Sequence, residues 1–158
     1  MEGNLTTLPV TEETIRKAEE TLLAYRAAKA PLEARLLENE QWYRLRHWST
    51  MRRNPGDPEP ASAWLLNCIA NKHADAMDNV PEPYVLPREE GDAPDAEALS
   101  AILPVVMELN EYEQVYSDVW WAKLKGGTGV TGVFWNPDGA DGLGDVDIRK
   151  VELLRLYW

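Results

Sequence analysis

Cysteine is almost missing from the chain: Cys68 stands alone among 158 residues, so no disulfide can form within it. That suits a reducing compartment without proving one. No apolar run approaches the roughly 20 residues a helix needs to cross a bilayer, so a soluble protein that does not engage a membrane is expected. The opening "MEGNLTTLPVTEET" lacks the basic, then apolar pattern of a secretory signal, which predicts synthesis in a cytoplasm. The two histidines, His47 and His73, fall in separate segments. "HADAMD" does not carry ligand spacing, and Cys68, five residues before His73, does not complete a zinc site. Neither Gly-x-Ser-x-Gly nor His-Glu-x-x-His occurs. "DGADGLGD" shares only composition with a calcium loop, lacking the terminal Glu and flanking helices of an EF-hand. Glu89 and Glu90 sit in an acidic linker and read as solvated charge. These absences leave no catalytic residue, metal or cofactor to assign.

Positive charge is also scarce. The formal net charge is -11, which argues against nonspecific affinity for nucleic acid or anionic membrane. The imbalance is local, however. Residues 42–53 carry four Arg and no acid, whereas residues 54–118 carry fourteen acids and two bases. Phe occurs once, but Trp occurs seven times. Side chains of that size need a core or a partner to cover them.

The apolar spacing predicts a mostly helical α+β chain that ends in a β-hairpin. Residues 11–30 read as a helix, capped by Thr11, with Glu12 and Glu13 where the helix dipole favours negative charge. Pro31 is expected to end or kink that helix, or to open the next one, whose pattern continues through Leu32, Leu36, Leu37 and Tyr43. Three prolines in "NPGDPEP" mark a break. The division is therefore an N-terminal helical segment over residues 1–53, a Pro-rich linker over 54–61, and helices with a hairpin over 62–158. Ser62 is expected to cap a helix burying Leu66, Ile69, Ala70, Met77 and His73. "VPEPYVLPREEGDAPD" reads as an extended, acidic segment laid across a surface. Residues 95–125 read as the longest helical pattern, with Ile102, Val106, Leu109, Tyr116, Trp120 and Leu124 on one face and a bend at Pro104 if it is internal. "GVTGVFW" and "DVDIRKV" then alternate as strands around the turn "NPDGADGLG".

Two stretches invite a functional reading. "GGTGVTG" follows a helix and precedes a strand, the reverse of a P-loop or dinucleotide fingerprint, and no Lys follows its last glycine. It reads as a structural turn. Gly126 or Gly127 supplies a positive φ where the helix ends, with Lys123 and Lys125 in the last turn. Gly129 and Gly132 make room for a bulky neighbour such as Trp120 or Trp121. "WYRLRHWSTMRR" sets Arg44, Arg46, Arg52 and Arg53 among Trp42, Tyr43 and Trp48. Such a pattern can grip a phosphate backbone and stack on bases. It can equally pair with acids of a neighbouring segment or subunit, the reading preferred in so acidic a chain. A small nucleic-acid-binding module built on residues 42–53 stays as the alternative.

Taken together, "NKHADAMDNVPEPYVLPREE", "ILPVVMELNEYEQVYSDVWWAKLKGGTGVTGVFWNP" and "GLGDVDIRKVELLRLYW" resemble the N-terminal part of tailed-bacteriophage portal proteins, over about residues 48–158. The resemblance implies the portal protein fold and a homo-oligomeric ring, usually a dodecamer, at one vertex of the capsid. It implies a head-to-tail connector through which the terminase motor drives double-stranded DNA during packaging and through which DNA leaves at ejection. Capsid and scaffolding proteins and a tail adaptor are the implied partners, and the virion, after assembly in the host cytoplasm, is the implied location. The resemblance also implies a protein that is not itself an enzyme. Portal subunits generally run to several hundred residues, so the chain is expected to be an N-terminal fragment whose channel and terminase-facing parts follow Trp158.

Overall fold

In a computed structural model, residues 10–49 and 51–157 are described. The opening residues 1–9, Thr50 and Trp158 lie outside them, including most of the stretch read for a signal and the last residue of "LLRLYW". Among the described residues, four α-helices precede a two-stranded antiparallel hairpin. The helices are α1 (Glu12–Tyr43), α2 (Trp64–Met77), α3 (Ala93–Leu109) and α4 (Tyr112–Gly126); the strands are β1 (Val130–Asn136) and β2 (Asp145–Val151). Short 3-10 turns occupy Glu90–Asp92, Ala140–Gly142 and Leu153–Arg155. No described helix is long and apolar enough to cross a membrane.

α1 begins where expected: the Thr11 hydroxyl accepts a hydrogen bond from the Thr14 amide at 3.2 Å, and Glu12 and Glu13 fill the first turn. Pro31 neither ends it nor starts another helix; α1 runs straight through that position for 32 residues. One missing N–H costs a single helical bond, which the rest of a 32-residue helix outweighs. α2 differs at its start. Its N-cap is Ala63, without a side-chain hydrogen bond, and Ser62 is an exposed residue ahead of it. Its inner face is as the spacing predicts, with Ile69 buried and Leu66, Ala70, His73 and Met77 half-buried.

The pattern over 95–125 is two helices, so α1 is the longest element instead. Asn110 and Glu111 interrupt it, and Glu111 sits at φ 47, in the left-handed region. Pro104 lies inside α3. Ile102 and Leu109 are exposed, while Val106, Tyr116, Trp120 and Leu124 are half-buried. Ahead of α3, the extended 80–88 segment is pinned by Ser100, whose hydroxyl accepts from the Val85 amide at 3.0 Å and donates to the Val85 carbonyl at 3.3 Å. That agrees with a segment laid across a surface.

α4 is the hub, touching α1, α2, α3 and both strands. The hairpin register runs from Val130 opposite Val151 to Asn136 opposite Asp145. Its turn is exposed apart from half-buried Gly139 and Gly144. The core around α4 is thin: among the described residues, only Ile69, Ala96 and Lys29 are buried. The tryptophans are therefore not all covered. Trp64 is 78% exposed and Trp135 64% exposed.

Candidate functional site

The glycine corner forms as a helix terminus. Gly127 takes φ 83, and its N–H donates to the Lys123 carbonyl at 2.7 Å. That closes α4 with the left-handed residue that glycine supplies without steric cost. The two lysines beside it are engaged. Lys123 places its ammonium 3.9 Å from the centre of the Trp120 ring, and Lys125 pairs with Glu40 of α1 at 3.0 Å. Gly126 faces α1: a Cβ there would meet the end of the Leu36 side chain at 2.6 Å. The tryptophans are not what Gly129 and Gly132 make room for. A Cβ on Gly129 would collide with the Val119 carbonyl, and one on Gly132 with the Phe134 ring and Val151. The Trp that does use a glycine is Trp135, whose ring lies over Gly144.

The clasp between α1 and α4 is built beside this corner. Asn39 donates its side-chain amide to the Lys125 carbonyl at 2.9 Å. The Tyr43 ring meets Trp121 edge-on with centroids 6.0 Å apart. On the far side of Trp121, the His73 ring stacks at 4.2 Å and its Nε2 lies 3.0 Å from the Ser117 hydroxyl. His73 thus belongs to a packed α2–α4 contact, as the reading of a partly buried polar face has it. Glu40 sits between Arg44 at 2.6 Å and Lys125 at 3.0 Å. Partial burial pushes its carboxyl upward, but hydrogen bonds from Arg44 and Lys125, with their charges, hold it below the usual carboxylate range.

The Arg and aromatic stretch divides into two groups. Trp48 and Arg53 turn inward onto the proline linker. The Trp48 indole donates to the Pro60 carbonyl at 2.8 Å, and the Arg53 guanidinium lies 4.6 Å from the Trp48 ring centre. Arg53 also donates to the Pro58 carbonyl and pairs with Glu59 at 3.2 Å. Trp42, Arg44, Arg46 and Arg52 stay exposed. Leu45, at φ 58, reverses the chain after α1 and brings His47 back onto Trp42, with ring centroids 4.7 Å apart. The product is a basic knob at the C-terminal end of α1.

Spacing alone could not reveal a third feature. Asn110, in the α3–α4 break, reaches the edge of β2 that faces away from β1. Its Nδ2 donates to the Val146 carbonyl at 3.0 Å, and its Oδ1 accepts from the Ile148 N–H at 2.7 Å. A side-chain amide has the donor and acceptor spacing of a peptide unit, so Asn110 covers that edge as a short strand would. The outer edge of β1 is left uncovered by the sheet, and Val133, Phe134 and Trp135 along it are exposed.

Comparison with protein-family models, with curated proteins and with solved structures gives no match to this chain.

Proposed function

We propose that the chain is a structural subunit of a larger assembly, the portal ring of a tailed bacteriophage. The observation that carries the reading is the amount of large apolar surface left open around a thin core. Leu86, Leu109, Trp64, Val133, Trp135 and Leu143 each expose more than 60% of their surface, against two buried apolar residues. A monomer rarely keeps so much apolar area in water; a subunit covers it against its neighbours. The uncovered edge of β1 points the same way, since an unpaired strand recruits another.

The residues quoted for the portal resemblance supply the specific form of this assembly. They include the α4 terminus, the glycine corner and both strands, which form one continuous unit around α4. The net charge of -11 suits a channel wall along which DNA slides without sticking. The alternative, a nucleic-acid module on residues 42–53, is weakened because Arg44 and Arg53 are already held by Glu40 and Glu59.

Antibody raised against the chain tests the reading on tailed particles from the same source. Gold label at one vertex per particle is expected. Label spread over the shell, or particles that never take label, contradicts it.

A further inference from the structure

A second surface lies at the other end of α4. Met77, Val80, Met107 and Tyr112 form the half-buried apolar floor of an open groove. Glu82, Glu108, Glu111 and Glu113 stand exposed around it, with no basic residue in the lining. An apolar trough with an acidic rim fits an apolar, basic ligand. The basic knob has that chemistry: Trp42 and Met51 are exposed beside Arg46 and Arg52, which, unlike Arg44 and Arg53, make no ion pair among the described residues.

Within one copy the two surfaces are held apart. The knob follows Tyr43, which packs on Trp121 in the second half of α4, whereas Tyr112 in the groove is the first residue of α4. Nine residues of helix separate those two anchor points by about 14 Å along the axis. No hydrogen bond or ion pair among the described residues joins the knob to the groove.

We propose that the knob of one copy docks into the acidic groove of the next. Two different, separated patches on one subunit make a head-to-tail contact, the kind that generates rings when the rotation closes. The inference rests on the assembly reading above and adds which surfaces meet. At ordinary ionic strength the long-range repulsion between two acidic chains is screened, while charge pairs in contact and partly desolvated are screened much less. The contact therefore survives conditions that relax the bulk repulsion.

Sedimentation equilibrium of the chain at physiological ionic strength tests it with paired charge reversals. The knob variant is Arg46→Glu with Arg52→Glu, and the groove variant is Glu82→Arg with Glu108→Arg. Each alone should weaken self-association about tenfold or more, and an equal mixture should restore it, because every knob then finds a groove of opposite sign. The groove variant is the sharper arm. It moves the net charge toward zero, so bulk repulsion alone would make it associate more tightly. Should either variant lose its helical circular dichroism, the neutral pair at the same positions, Arg46→Gln with Arg52→Gln or Glu82→Gln with Glu108→Gln, replaces it and should weaken association in the same direction. Unchanged or tighter association of the groove variant, or a mixture no better than its components, overturns the contact and leaves the assembly reading standing. An unmutated chain that stays monomeric overturns both.

Discussion

The side-chain amide of Asn110 hydrogen-bonds both to the Val146 carbonyl, at 3.0 Å, and to the Ile148 N–H, at 2.7 Å. One side chain in a helix break thereby satisfies two backbone groups on the outer edge of β2 and ties the hairpin to the helices. Asn110→Ala should strip both bonds and cost about 1–3 kcal/mol, the penalty for leaving part-buried backbone groups without partners. Denaturant unfolding measures the loss. Hydrogen exchange at the Ile148 amide should speed up beyond what the global change explains. An Ile148 amide as protected in the variant as before would show that the hairpin does not depend on Asn110.

The glycine corner predicts an order of costs. Gly127→Ala places a side chain at φ 83 and should destabilise by about 1 kcal/mol or more. Gly129→Ala should cost more, because its Cβ would run into the Val119 carbonyl, which is backbone and cannot swing aside. Gly126→Ala should cost least, since only the tip of Leu36 must move. Equilibrium unfolding of the three variants checks the ranking; Gly126→Ala as the worst of them would mean that the corner is built differently.

Glu40 predicts a pH window. Its folded carboxyl lies below the ordinary carboxylate range because hydrogen bonds and charge from Arg44 and Lys125 favour its ionised form over the opposing effect of partial burial. Its contribution is therefore full above the unfolded carboxylate value and is lost as pH falls through the lowered folded value. Glu40→Gln should reduce stability at neutral pH, and the gap from the unmutated chain should shrink only below about pH 4.5. Thermal unfolding of both proteins from neutral to acid pH reads the gap. A gap that stays constant through acid would contradict the clasp.

Ser100 predicts local rather than global loosening. Ser100→Ala removes both bonds to Val85, which should free the 80–88 segment and speed tryptic cleavage after exposed Arg88. Cleavage at an unchanged rate would show that the prolines alone hold the segment in place.

Much of this architecture is legible in the chain, and the misses share a cause. The α4 terminus and the hairpin can be read because their signals are local: a double glycine after lysines, then a change of period from helix to strand. Pro31 and Asn110 mislead because periodicity continues across both. At Pro31 the helix continues as well, losing one hydrogen bond. At Asn110 the helix stops, because Glu111 adopts a left-handed backbone that its identity does not announce. The neighbours of Gly129 and Gly132, and the separation of Arg53 from Arg46, depend on how the backbone turns in three dimensions: Arg53 folds back onto Trp48, Pro58 and Glu59, while Gly129 meets Val119 and Gly132 meets Phe134 and Val151, none of which a periodic pattern encodes. The acidic groove gathers residues from α2, the extended segment, α3 and α4, so composition shows its charge but not its shape.

The assembly proposed above would cover the exposed apolar surface of this chain by association. Static light scattering at low and at high salt measures that directly. Exposed Trp64, Trp135 and Val133, with the open edge of β1, should drive association, while a net charge of -11 opposes it by repulsion that salt screens. A mass above that of the 17.9 kDa chain, rising with salt, is expected. A monodisperse monomer at both salt concentrations would contradict it.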